Sequence, residues 1–212
     1  MSKLKYAKIL DELENNYYDA KTELNYSNPF ELLIATMLSA QCTDKQVNKV
    51  TPFLFEKYKN PYGFAHADQG VLEKEIYSCG FYRTKSKNII QTSNILIDKY
   101  GGQVPSDIDL LRQLPGVGRK TANVVASNAF NIDAIAVDTH VFRVSNRLGL
   151  AKADNVEETE IQLMKNIPKD KWSRAHHWLI YHGRQICTAR NPKCDKCFLS
   201  DYCEYHNRNI LK

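Results

Sequence analysis

Lys120 and Asp138 stand 18 positions apart, each in a setting that could support chemistry. The lysine follows Leu114-Pro115-Gly116-Val117-Gly118-Arg119. Proline cannot continue a preceding helix, and two glycines two apart permit a tight turn with exposed backbone. A helix that begins near Arg119 offers its first N–H groups, with those of the Gly116–Gly118 turn, to an anion. With no side chain on the glycines, a phosphate can approach the main chain, which is how a helix-hairpin-helix grips a nucleic-acid backbone without reading bases. Lys120 would lie at the positive end of that helix beside Arg119, and both features favour the neutral amine that a nucleophile requires. Asp138, in Val137-Asp138-Thr139-His140, is placed to cap a helix, where the dipole holds its charge. Each residue also has a plainer reading: a phosphate-contacting lysine, a capping aspartate, a glycine-rich turn between core helices.

A second constellation is made of sulfur. Cys187, Cys194, Cys197 and Cys203 crowd into 17 residues, while Cys42 and Cys79 stand apart. A tight group of four in a reducing compartment points to metal ligation and not to disulfides. Four thiolates in a small loop suit either zinc or an iron–sulfur cubane, and spacing alone leaves both open. The two isolated cysteines read as small buried apolar residues.

The elements that must position these groups are helical almost throughout, so the fold class is all-α. Asn28-Pro29-Phe30-Glu31 has the form of a helix start, and the apolar run that follows suits a buried central helix. Thr43 with Gln46 reads as a second capping box and Thr51-Pro52 as a third start. Helices are expected over about 71–79 and over 85–100, the latter closed by Gly101-Gly102. Ser106 is expected to cap a short helix through Leu111. Further helices fit 138–148, 156–166 and 171–187. Only the short Ala134-Ile-Ala-Val137 segment alternates with the period of a strand.

Composition narrows the class. The chain has 212 residues, 43% hydrophobic and 25% charged, values of an ordinary globular protein and not of a disordered one. Its start is charged and lacks the apolar core of a signal peptide. Its longest apolar stretch, Phe30 to Ala40, is broken by Glu31, Thr36 and Ser39, too short and polar to span a bilayer. An intracellular protein without a membrane partner is therefore expected. Net charge is +5, and from Lys165 onward ten Lys/Arg face four Asp/Glu. Such an excess is either a solvated basic face or a surface for a polyanion.

LPGVGRKTANVV followed by VDTHVFRVSNRLGL resembles the endonuclease III family of the helix-hairpin-helix DNA glycosylase superfamily, as do LLIATMLSAQCTDKQVN at 32–48, GFYRTKSKNI at 80–89 and the four cysteines. The likeness runs from about residue 24 to 203. It implies a base excision repair enzyme acting on double-stranded DNA with oxidised pyrimidines or abasic sites. Lys120 would attack the sugar C1′ to form a Schiff base, and Asp138 would assist loss of the base and stabilise the developing positive charge. β-Elimination would then cleave the strand. The cysteine spacing matches the family's [4Fe–4S] loop, with Cys187, Cys194, Cys197 and Cys203 as ligands; that loop would carry Arg190, Lys193 and Lys196 toward phosphates. Gly116, Val117, Gly118 and Arg119 would hold the backbone, and His140 would order its loop or contact phosphate. Gln41 matches the glutamine that enters the base stack when the damaged nucleotide is extruded. Phe81 falls where the family commonly carries a leucine wedge, a departure that still suits unstacking; from its type alone Phe81 reads as core and Gln41 as a helix end.

The resemblance further implies two helical domains flanking a DNA-binding groove. One is a six-helix bundle, 23–132, that ends in the hairpin. The other is a discontinuous iron–sulfur domain, 1–22 with 133–212. It implies a monomer in the bacterial cytoplasm, associated with the nucleoid. A monofunctional relative is the nearest rival, but such enzymes usually lack a lysine at the position of Lys120, and the adenine-specific branch carries a further C-terminal domain where nine residues follow Cys203 here. A non-catalytic DNA-binding or electron-transfer module would leave the lysine and aspartate unexplained.

Overall fold

Short polar side chains start most of the helices. A computed structural model describes residues 3–210, so residues 1, 2, 211 and 212 of the expected domain bounds lie outside the described residues. In chain order the α-helices are α1 Lys3–Asn16, α2 Pro29–Ser39, α3 Asp44–Tyr58, α4 Pro61–Ala65, α5 Gln69–Glu75, α6 Tyr82–Tyr100, α7 Ile108–Arg112, α8 Arg119–Phe130, α9 Thr139–Leu148, α10 Val156–Asn166, α11 Trp172–Gln185 and α12 Glu204–Ile210. Asn28, Thr43, Asn60, Asp68, Asp107, Asp138 and Asn155 each accept a backbone N–H of the helix they precede. No strand occurs among the described residues, and none of their helices is long and apolar enough to cross a membrane.

The chain divides into two contact units, Glu23–Ile132 and Met1–Thr22 with Asp133–Lys212. In the first, α2 is the buried centre, with Leu32 through Leu38 all buried. Thr36 survives there because its hydroxyl donates to the Leu32 carbonyl at 2.7 Å. Glu31 reaches back to the Ser27 N–H at 2.7 Å while Asn28 accepts from the Glu31 N–H, closing the cap from both sides. The Thr43 cap is only half a box: Thr43 accepts from the Gln46 N–H, but the Gln46 side chain turns to Ser78.

Several expected boundaries are corrected. Thr51-Pro52 starts nothing; α3 runs through both, with Pro52 inside it and Thr51 buried. The freed pairing is tolerated because Val47, Thr51, Leu54 and Tyr58 hold that face in the core. Asp107, not Ser106, caps α7, since its carboxylate takes both the Asp109 and Leu110 N–H groups. The segment expected over 71–79 splits into α5 and a 3₁₀ turn, Tyr77–Cys79. The helix over 82–100 does end at Gly101 in the left-handed region.

In the second unit α1 packs its Ile9, Leu10 and Leu13 face into one core with Trp178 and Leu179 of α11. Glu14 of α1 takes ion pairs from Lys171 at 2.7 Å and from Arg174. The Ala134–Val137 segment is not a strand. All four residues are buried, and the Ala136 carbonyl accepts from the His176 ring at 2.7 Å in place of a ladder partner. This buried extended run delivers Asp138 to the start of α9.

Candidate functional site

The hairpin is built by anchors on either side of its turn. Leu114 and Val117 point into the core of the 23–132 unit, and the Val117 N–H closes the turn on the Leu114 carbonyl. The Pro115 carbonyl accepts from the Thr92 hydroxyl at 3.0 Å. Gly116 has φ +77°, and a Cβ there would lie 2.7 Å from Asn88 Nδ2, so both conformation and space require glycine. Gly118 caps α8 without any side-chain bond, and nothing lies within 4 Å of where its Cβ would be. No side chain caps the first turn of α8, a helix start of the kind that binds anions. Arg119 and Lys120 are exposed on that turn.

Gln41 and Phe81 meet the hairpin in one pocket, lined by Met37, Ala40, Gln41, Phe81, Thr84, Lys85, Asn88 and Gly116. Phe81 is 64% exposed, so the core reading of this phenylalanine is wrong. Both residues have positive φ, 52° at Gln41 and 47° at Phe81, a conformation that side chains rarely adopt and that costs about 1–3 kcal/mol each. Both side chains are exposed at these left-handed positions. Tyr82 instead packs against Tyr77, ring centroids 4.8 Å apart, with the Arg83 guanidinium over its face.

Lys85 is the functional-class residue that motif reading overlooked. It is only 6% exposed, and its ammonium donates to the carbonyls of Leu38, Ala40 and Cys79 at 2.8, 2.8 and 2.6 Å. Burial holds it below the ordinary lysine range, opposed by the nearby Cys42 and Cys79 thiols. Its three protons are committed, so it is not available as a nucleophile, whereas Lys120 is exposed. The signal was present: Lys85 lies in register with Ile89, Thr92, Ser93 and Leu96 on the buried stripe of α6. Cys79 is buried, its thiol pushed by burial up to about 11 and hydrogen-bonded to Cys42.

Asp138 belongs to the other unit. One oxygen, Oδ1, accepts from both the His140 and Val141 N–H groups at 2.8 Å, which fixes the carboxyl and leaves Oδ2 without a hydrogen-bond partner among the described residues. His140 faces Arg143, Nδ1 to Nη2 3.1 Å. From the same helix Arg143 donates to the Gly183 and Cys187 carbonyls, and Arg147 to those of Thr188 and Ala189. Two arginines thus tie the helix that Asp138 begins to the loop that the cysteines occupy.

That loop brings Cys187, Cys194, Cys197 and Cys203 around one cavity with Leu148, Ile186 and Pro192, and all four are free thiols. Hydrogen-bond donors already point at the sulfurs: the Leu199 N–H at Cys197, the Tyr205 and His206 N–H groups at Cys203, and Arg147 Nη1 at Cys187, 3.5 Å away. Donors of this kind suit cluster thiolates. A cluster gives each thiolate its own iron, whereas zinc draws all four to one ion. Burial pushes the Cys197 thiol up to about 11 and raises Cys194 and Cys203, so loading releases protons. Arg190, Lys193 and Lys196 are exposed on this loop.

The description of the HhH-GPD superfamily of base excision DNA repair proteins matches residues 34–169, and that of the iron–sulfur binding domain of endonuclease III matches 187–203. Endonuclease III of Bacillus subtilis (strain 168) is 52% identical over 195 residues, covering 92% of this chain and 89% of its own. A solved non-covalent endonuclease III–DNA complex superposes with a TM-score of 0.94 at 51% identity, covering all of both chains. A trapped covalent endonuclease III–DNA intermediate, an estranged-adenine complex, does so with the same TM-score and identity over 99% of each.

Proposed function

The chain belongs to the endonuclease III family within the HhH-GPD superfamily of base excision DNA repair proteins, and on that premise we propose that it removes oxidised pyrimidines from duplex DNA with Lys120 as nucleophile. It is a DNA N-glycosylase and abasic-site lyase, and it carries a [4Fe–4S] cluster. The observation that carries the residue assignment is the exposed Lys120 on the first turn of α8, a helix start that no side chain caps and that suits a phosphate. The relative trapped as a covalent DNA intermediate supports an amine that bonds to the sugar.

In this reading the Gly116–Gly118 turn and Arg119 grip the DNA backbone and bring Lys120 Nζ to C1′. The Nζ–C1′ bond forms as the bond from C1′ to the base breaks, and Asp138 offsets the positive charge that develops on the sugar. Opening of the sugar ring leaves an imine between Nζ and C1′. Loss of a C2′ proton then expels the 3′ phosphate, which breaks the strand. Gln41 and Phe81 fill the gap left by the extruded nucleotide. Arg190, Lys193 and Lys196 contact phosphates, His140 orders its loop, and the protein acts as a monomer on the nucleoid of a bacterial cytoplasm. Cys187, Cys194, Cys197 and Cys203 are the cluster ligands, and the cluster's contribution is to fold their loop.

Borohydride reduction of the protein with a duplex containing one thymine glycol tests the reaction. A covalent adduct is expected; free base without an adduct would make the enzyme monofunctional and overturn the Lys120 role. Cys197→Ser is expected to lose bound iron and cluster absorbance and to bind DNA more weakly, with a lower melting temperature because Arg143 and Arg147 lose a folded partner. A colourless wild-type protein with stoichiometric zinc would refute the ligand assignment.

A further inference from the structure

The three bonds of Lys85 do more than satisfy a buried charge. Leu38 and Ala40 lie at the C-terminal end of α2, where carbonyls have no helical partner. Cys79 ends the 3₁₀ turn before Gly80 and Phe81. The Ala40 carbonyl belongs to the peptide that leads into Gln41, and the Cys79 carbonyl to the peptide that leads into Gly80, one residue before Phe81. One ammonium therefore bridges the two loops whose tips are Gln41 and Phe81, each in the left-handed region and each aimed into the same pocket. The Lys85 backbone N–H also holds the start of its own helix, donating to the Phe81 carbonyl at 3.0 Å.

Strained conformations of this kind persist only where the surroundings over-determine them. Glycine supplies part of the freedom at Gly80, but Gln41 and Phe81 have a Cβ and gain no such relief. We propose that Lys85 is a positioning residue that sets the spacing and direction of the Gln41–Phe81 pair by clamping the carbonyls of Leu38, Ala40 and Cys79, so that both side chains enter the duplex together. The inference rests on the reading of Gln41 and Phe81 as the gap-filling pair. Lys85 itself touches neither the sugar nor the base, because all its donors are taken by the backbone.

Its role is separable from chemistry, since a single-stranded abasic site has no stack to enter. The test compares borohydride trapping on single-stranded and duplex abasic DNA, and follows the fluorescence of a 2-aminopurine placed opposite the abasic site. Lys85→Met keeps an unbranched stem out to the ε position and removes the ammonium. Duplex trapping and the 2-aminopurine rise on binding are expected to fall on the order of 10- to 100-fold, as a misplacement of about 1 Å does, while single-strand trapping stays near the wild-type rate. In a Gln41→Ala/Phe81→Ala background the same substitution should add no further loss. Equal losses on both DNAs, an additive loss in that background, or an unchanged duplex rate would each overturn the proposal. If Lys85→Met does not fold, Lys85→Arg, which retains the charge and donors with a different reach, takes its place and should show the same duplex-selective loss to a smaller degree. Wild-type protein that forms no adduct on duplex abasic DNA would remove the Schiff-base reading itself, an outcome distinct from any failure of Lys85.

Discussion

Lys120→Ala is expected to form no borohydride-trapped adduct and to lose strand scission by on the order of 10³-fold or more, because the proposed nucleophile is gone and nothing replaces it. DNA affinity should change little. The proposed phosphate grip is that of the Gly116–Gly118 turn and the first N–H groups of α8, which the substitution leaves in place. Stability should hold as well, since Lys120 is exposed and alanine is the better helix former. The comparison to make is adduct yield against dissociation constant on one abasic duplex. An adduct that persists would assign the nucleophile elsewhere, and Lys85 is a poor substitute because its ammonium is consumed by three carbonyls.

Asp138→Asn separates a cap from a catalytic charge. Asparagine can accept the same two N–H bonds that Oδ1 now takes from His140 and Val141, so melting should shift by less than about 1 kcal/mol. Asp138→Ala removes the cap too and should cost about 1 kcal/mol more. Release of an oxidised base should nevertheless fall by about 10²–10⁴-fold in the asparagine variant, because the charge that offsets the developing cation is absent. Cleavage of a ready-made abasic site should suffer less, since the base has already left. Base release at the wild-type rate would reduce Asp138 to a structural cap.

These two residues could be picked from the chain because their settings are local. A proline, two glycines and a helix start lie within seven positions of Lys120, and a cap acts over two or three residues, the reach of one turn. The cysteine group was readable for the same reason, as was the Asn28 helix start. Failures came where a local signal met a stronger distant one. Thr51-Pro52 has the look of a helix start, but the buried face of α3 carries the helix through it. Ala134–Val137 alternates like a strand, yet it is enclosed on both sides and its carbonyl pairs with His176, 40 residues away.

Residue type and spacing determined the helical class, the hairpin, the caps at Asn28, Thr43 and Asp138, the nucleophile and carboxylate candidates and the thiolate set, because each of these is decided by neighbours within a turn or two of the chain. Tertiary structure alone decided that Phe81 faces solvent and shares a pocket with Gln41. It decided that Lys85 closes on carbonyls 47, 45 and 6 residues away, and that α1 completes the core of the cysteine-bearing unit. A buried charge takes whichever acceptors the fold brings within 3 Å, and an apolar helix face takes whichever partner excludes water from it; neither choice is written in the order of residues along the chain.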